Sequence, residues 1–440
     1  MPVPDRPMPD RIVILNDFSS REGGAGYLAS ALAGGLAARG MPVTFITGDG
    51  GAETPPDGVE RLALGSERLL EGGAARAALR GLRNRDAMRQ VRHWMAAHDT
   101  PGTIYHLHNW SNILSPGIFD ILAPVAPRCV IHAHDFFLAC PNGAYLDYPR
   151  AAICHRRPLS AGCVATNCDK RAYGHKLWRV LRHGFLAGAL RPHLRAATFV
   201  AIHDAMRPWL EKAARPARMV TIRNPVTPFG PPVPAPQDQR GLAHIGQVQR
   251  LKGVFELAEA GRRLGQSIDF FGSGEDLAEL RGRYPCHRWH GHTDRAEIGR
   301  RLAGFRATVV ATQSPEPFCL AAFESVATGL PLVLSDAILA APELAASGAA
   351  LPFAAGDADA LTAALTRVIE DDAAVAGMAA AARRAGPAFA HGLDDWIAAH
   401  DRLYRGIGGQ GRAMPQPGMP MPGLGAMAAP CPGHIDRGAP

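Results

Sequence analysis

The sequence predicts an α/β protein made of two doubly wound, Rossmann-like domains facing a cleft. Three observations carry this. Short apolar runs alternate with stretches of helical periodicity, a proline-rich break falls near the middle, and the alternation restarts after it. The chain has 440 residues, 47% of them hydrophobic, which is room for two to three domains with large cores.

The first domain is expected over residues 10–223. Ile12–Leu15 reads as a buried strand, and Gly23, Gly24 and Gly26 as a turn. Leu28, Leu32 and Leu36 recur every fourth residue, one face of a helix that stops at Arg39-Gly40. Val43–Thr47 is the next strand, so the domain opens as βαβ and predicts a parallel sheet. Further strands are expected at Thr103–Leu107, Cys129–His132 and Thr198–Ile202, and an Arg-rich helical excursion at 68–98.

Six prolines in Asn224–Gln239 cannot sit inside a helix or a central strand, so residues 224–240 read as a linker. The second domain follows over 241–390. Its strands are Leu242–Ile245, Ser267–Phe271, Thr308–Ala311 and Pro331–Leu334, and its helices Val254–Leu264, Glu275–Arg283 and Phe318–Thr328. Residues 357–406 look helical, and 391–407 are expected to cross back to the first domain. The Gly/Pro/Met-rich stretch 408–440 has no periodicity and is expected to be a disordered tail.

Composition narrows the function classes. No run of ~18 apolar residues lacks breakers, so no transmembrane helix is expected. The first residues carry charge early and lack the apolar core of a secretory signal. With eight cysteines in 440 residues, the expected compartment is the reducing cytoplasm. A net charge of +7 is modest for this length and does not call for nucleic acid. The basic residues are uneven, however. Lys170–His203 contains no Asp or Glu and includes Trp178 and Phe185. Two readings stay open there, a solvated Arg-rich helix and a contact with an anionic membrane face.

The residues with chemistry cluster at predicted strand ends, where open sheets bind ligands. Glu316-Pro-Phe-Cys-Leu-Ala-Ala-Phe-Glu324, then Gly329-Leu-Pro331, runs from a loop into a helix. The free N–H groups at that helix start suit a diphosphate, and the two carboxylates suit sugar and ribose hydroxyls. Gly246-Gln247-Val-Gln-Arg250-Leu-Lys252-Gly253 brings cations to a second strand end, and Phe271-Gly272-Ser273-Gly274 makes a tight turn at a third. In the first domain, Glu22-Gly23-Gly24-Ala25-Gly26 is not G-x-G-x-x-G, which argues against a nicotinamide site. His132-Ala-His134-Asp135 precedes Phe-Phe-Leu-Ala-Cys140-Pro141, and His106 and His108 end another strand. Each of these histidines is read either as a satisfied core residue or as a lining of the site.

These motifs resemble those of family 4 retaining glycosyltransferases (glycosyl transferases group 1), and the resemblance covers nearly the whole chain to about residue 406. It implies the GT-B fold and transfer of a sugar from a nucleotide-sugar donor, with retention, to a glycan or lipid-linked acceptor in cell-surface polysaccharide synthesis. It implies that Glu316 meets the transferred sugar, that Phe318, Cys319 and Leu320 meet the diphosphate through their backbone, and that Glu324 meets the ribose. Lys252 would neutralise the leaving diphosphate, with Gln247 where the family has Arg and Arg250 nearby. Gly272 and Gly24 would approach the donor, and His134 the reaction centre. No D-x-D motif announces a divalent cation, and no cofactor beyond the donor is expected. Cys140, Cys154, Cys163 and Cys168, with His155 adjacent, are read either as free thiols or as a structural zinc site. Two alternatives remain: an epimerase on the same scaffold, and a non-catalytic nucleotide-sugar-binding protein.

Overall fold

The computed structural model describes residues 8–20, 24–69 and 73–408. In the first domain the strands are β1 (Arg11–Asn16), β2 (Val43–Thr47), β3 (Val59–Ala63), β4 (Thr103–Leu107) and β5 (Cys129–Ala133). A two-stranded hairpin follows, β6 (Leu146–Asp147) and β7 (Ala152–Ile153), then β8 (Thr198–Ala201) and β9 (Arg218–Thr221). In the second domain they are β10 (Gly241–Ile245), β11 (Ile268–Phe271), β12 (Arg288–Gly291), β13 (Phe305–Val310), β14 (Leu332–Ser335) and β15 (Ala350–Phe353).

The first sheet runs β3-β2-β1-β4-β5-β8-β9 and the second β12-β11-β10-β13-β14-β15, with parallel neighbours throughout. Within each sheet this is the doubly wound order. The strand sequence reverses between β1 and β4, and again between β10 and β13, which opens a crevice at the carboxyl ends. β1 is buried on both faces. Val13 and Leu15 join one core, while Ile12 and Ile14 join another under the helix Gly24–Ala37.

The helix Leu393–Gly408 follows the second domain in the chain but packs on the first. Trp396, Ile397, Leu403 and Tyr404 are buried with Ile12, Ile14, Leu28 and Leu36. A Cβ on Gly35 would stand 2.2 Å from Ile397 Cδ1, so glycine lets the two helices touch. The proline-rich segment is strapped to the second domain. Phe229 N–H donates to Thr328 Oγ1 (2.9 Å) and Val233 N–H to the Thr328 carbonyl (3.0 Å). The domains also meet at Glu343, which pairs with Arg223 (2.7 Å) and His203 (2.9 Å).

Besides the hairpin strands β6 and β7, four strands escape the sequence reading: β3, β9, β12 and β15. All four are sheet edges, and three carry charged residues, such as Glu60 and Arg61 in β3 or Arg288 in β12. The helix expected from Phe318 begins at Leu320, because Cys319 adopts extended angles as its N-cap (φ −89°, ψ 96°).

Candidate active site

Strand β13 delivers the loop that carries Glu316. Its backbone is fixed on both sides: Glu316 N–H donates to the Ala337 carbonyl (3.3 Å) and its own carbonyl accepts from Leu339 N–H (3.0 Å). The side chain turns to Lys252, with Oε2 2.9 Å from Nζ. Lys252 comes from the loop after β10. Burial works against its ammonium, but the Glu316 carboxylate outweighs burial and raises its pKa above the ordinary value. The side chains remain 28% and 20% exposed, so a ligand can reach both.

Two glycines explain why the loop has this shape. Gly253 has φ +70°, and a Cβ there would lie 1.9 Å from the Ala311 carbonyl oxygen. A Cβ on Gly272 would lie 1.8 Å from the Gly246 carbonyl oxygen. The loops after β10 and β11 are therefore zipped together, by Gly246 N–H to the Phe271 carbonyl (3.0 Å) and Val248 N–H to the Ser273 carbonyl (3.0 Å). Gly272 is a packing glycine before it is anything else.

The other loop residues part company with Lys252. Gln247 is exposed. Arg250 lies over the Phe255 ring (3.8 Å) and near Glu279 (3.9 Å), facing a groove of about 240 Å³ lined by Glu259, Arg263 and Tyr284. In this arrangement Arg250 does not stand in for the arginine that the resemblance implies at Gln247.

The helix Leu320–Ala327 begins beside Glu316. Phe318 is buried and stacked on Phe323 (4.5 Å, 11°), and Cys319 is buried in the same core. Burial pushes the Cys319 thiol up, and Glu316 adds to it. The side chain thus packs inward, and Leu320 is half-buried above it. Ala322 N–H donates to the Cys319 carbonyl (3.1 Å), so the N–H groups of Leu320 and Ala321 at the helix start are the ones suited to an anion. Glu324, one turn further, is 13% exposed and pairs with Arg295 at 2.7 Å. Burial raises the Glu324 pKa, and Arg295 offsets only part of that. Arg295 also lies over the Phe229 ring (4.6 Å). Sequence reasoning missed Arg295. Its only signal is its place directly after Asp294, a helix N-cap.

In the first domain, alternation along β4 and β5 aims Ile104 and His106, and Val130 and His132, at the face covered by Leu393–Gly408. His108 and His134 continue beyond the strand ends. His108 Nδ1 lies 2.9 Å from His134 Nε2, and His134 stacks on His132 (4.1 Å, 6°). Burial, with repulsion from His400, lowers the His134 pKa to about 3, so the ring is a neutral hydrogen-bonding group. His106 is buried beneath Tyr404 and does not line a cleft. Asp135 beside His134 is pushed up to about 6, mainly by burial.

Asp17, at the end of β1, was missed from sequence. It accepts from the N–H groups of Asn112 (2.7 Å), Ile113 (2.9 Å) and Leu114 (2.8 Å), and so anchors the loop that begins at His108. Gly24 is exposed at the start of its helix, whereas Glu22 and Gly23 lie outside the described residues.

Cys140, Cys154, Cys163 and Cys168 are all buried and free. Asn142 Nδ2 donates to Cys168 Sγ (3.4 Å), and the Lys176 ammonium to Cys163 Sγ (3.4 Å). Among the described residues, the sets of three candidate metal donors within 4.8 Å of one another are formed by histidines, and the four thiols are not in such a set.

Residues 231–385 match the family model "Glycosyl transferases group 1". Over 275 residues the chain is 28% identical to a glycogen synthase of Mycobacterium tuberculosis. That match covers 58% of this chain and 63% of the relative's length. Solved structures share the fold at low identity. A sucrose-phosphate synthase from Thermosynechococcus elongatus aligns with a TM-score of 0.66 at 15% identity, covering 90% of this chain and 99% of that one. WaaG, a glycosyltransferase involved in lipopolysaccharide biosynthesis, aligns with a TM-score of 0.61 at 15% identity, covering 90% and 99%. Anabaena HepE, solved in complex with UDP, aligns at 0.60 and 15% identity, covering 89% and 99%. The fold is the GT-B arrangement of two Rossmann-like domains that these glycosyltransferases have.

Proposed function

We propose that the protein is a glycosyltransferase that moves a sugar from a nucleotide-sugar donor to a glycan or lipid-linked acceptor, with retention of configuration. The observation that carries the reading is the Lys252–Glu316 pair, 2.9 Å apart beside the start of the helix Leu320–Ala327. One cation, one carboxylate and a set of helix N–H groups meet at one place. That set suits a sugar diphosphate, whose negative charge grows as the glycosidic bond breaks. On this reading Lys252 stabilises the leaving diphosphate and Glu316 orients the sugar hydroxyls. Glu324, aligned by Arg295, accepts from the ribose. Neutral His134 offers hydrogen bonding, without charge, on the acceptor side. No resident metal or cofactor enters this scheme.

The acceptor is proposed to wait at the inner face of a membrane. No helix among the described residues is long and apolar enough to cross one. The helix Tyr173–His193, however, exposes Tyr173, Leu177, Leu181 and Phe185 at four-residue spacing, and Leu79 is exposed on the helix Ala74–Leu82. Lys176 and Arg182 of the acid-free run are buried and Arg179 pairs with Asp169, so the apolar stripe itself, with Arg171 exposed beside it, is what suits an anionic lipid surface. The proposed role is cell-surface polysaccharide synthesis in the cytoplasm.

A second reading, a nucleotide-sugar-binding protein without turnover, is favoured by one observation: Gln247 is exposed and Arg250 turns to Phe255, leaving Lys252 with less help. The test is a thermal-shift screen against nucleotides followed by donor-hydrolysis and transfer assays with the best binder. A nucleotide that binds the folded state must raise the melting point. Stabilisation with turnover supports the enzyme, stabilisation without it the second reading, and no stabilisation by any nucleotide overturns both.

A further inference from the structure

The histidines under the C-terminal helix are not used by the transfer chemistry, and they have the geometry of a ligand set. His106 from β4, His132 from β5 and His400 from the helix Leu393–Gly408 form a nearly equilateral triangle. Their ring centroids are 5.3 Å (His106–His132), 5.5 Å (His106–His400) and 5.5 Å (His132–His400) apart. One ligand atom from each lies within 4.8 Å of the others, and all three residues are buried. His106 Nε2 and His132 Nδ1 are 3.2 Å apart, close to the ~3.3 Å between two nitrogens on a tetrahedral centre with ~2.05 Å bonds.

Outer partners are in place for two of the three, His400 and His106, while His132 Nε2 has none. His400 Nδ1 is 2.9 Å from the Trp396 carbonyl, which accepts only from an N–H. That fixes the tautomer and leaves the His400 Nε2 lone pair bare, and this buried nitrogen has no partner. His106 Nδ1 is held by Tyr404 Oη at 2.6 Å. A second ring nitrogen tied to a carbonyl or hydroxyl is the arrangement that orients a metal-bound imidazole.

The geometry points to a binding site for one transition-metal ion of the zinc class, held by His106, His132 and His400. It is separate from the proposed donor site and does not depend on it. Bound there, the ion would tie the last helix to the first sheet. The competing account is a metal-free stack in which His106 and His132 share one proton in a hydrogen bond.

The test uses the full chain, stripped with a chelator and titrated with Co²⁺ as a spectroscopic probe and Zn²⁺ as competitor. The expected result is one Co²⁺ per chain, with visible d–d bands that Zn²⁺ abolishes, and a rise in melting temperature on metal addition. His400→Ala should abolish binding and His134→Ala should keep it. Should His400→Ala not fold, Tyr404→Phe removes only the hydroxyl on His106 and should weaken binding by ~10–100-fold. The proposal is overturned if the folded wild type takes up no stoichiometric metal. It is equally overturned if folded His400→Ala or Tyr404→Phe binds like the wild type, or if His134→Ala abolishes binding.

Discussion

Lys252 Nζ and Glu316 Oε2 stand 2.9 Å apart, although 64 residues of chain and two strand ends separate them. The pair joins the loop after β10 to the loop after β13. A ligand placed between those loops must share or replace this contact, so both partners are already ordered before it arrives.

Lys252→Ala is expected to lower turnover by roughly 100–1000-fold, the loss typical of a transition-state charge partner. The change should fall on kcat more than on KM, because the interaction strengthens as the diphosphate leaves. Gln247→Arg is expected to raise turnover. Steady-state kinetics with purified donor and acceptor check both, and near-normal turnover in Lys252→Ala would show that another cation carries the diphosphate.

Glu324→Ala is expected to weaken nucleotide binding by about 1.5–3 kcal/mol, through loss of charge-assisted bonds to the ribose. It also frees Arg295, now 2.7 Å from Glu324. Arg295→Ala should therefore weaken binding as well, and the double variant should lose less than the sum, since the two act as one unit. Isothermal calorimetry decides, and unchanged affinity in Glu324→Ala would remove the ribose assignment.

The domain contact at Glu343 should respond to acid. Burial alone would raise this carboxyl, but His203 and Arg223 lower it to about 2. A folded pKa below the unfolded one means that the unfolded chain binds the extra proton. The contribution is thus present above the unfolded pKa of ~4.3 and is lost as pH falls toward ~2. The melting temperature should drop through this window, and Glu343→Gln should be less stable at neutral pH with a flatter drop. Identical pH profiles for the two proteins would contradict this.

Liposome flotation should show binding to anionic vesicles that weakens as salt is raised. Leu177→Asp with Leu181→Asp should reduce it, because both side chains are exposed on the stripe and their loss leaves the basic residues intact. Absence of binding by the wild type at low salt would remove the membrane contact.

The sequence announced the fold where the strands are central. β2 and β4 fall at the expected residues, because a parallel strand covered on both faces is largely apolar, His106 of β4 being an exception. β3 and β12 were invisible, because an edge strand tolerates charge on its open side. At the candidate site, Glu316 and Lys252 were legible from motif spacing, and the structure brings them into contact. The orientation of Arg250 was not, since a cation over Phe255 and one over a phosphate read the same in sequence. Nor were Arg295 and Asp17, whose partners lie 29 and about 95 residues away and depend on how loops from separate strands meet. The imidazole cluster needed three dimensions too, because His400 reaches it only through the packing of the last helix.

That last helix also sets an order of events during synthesis. Ile12, Ile14, Leu28 and Leu36 leave the ribosome long before their cover, Trp396, Ile397 and Tyr404. The first domain must then stand with an uncovered apolar face while the whole second domain is translated. A nascent chain in that interval is a natural client for holding chaperones. A nonsense mutation just before Leu393 would leave both sheets encoded and still yield a protein whose first domain stays sticky.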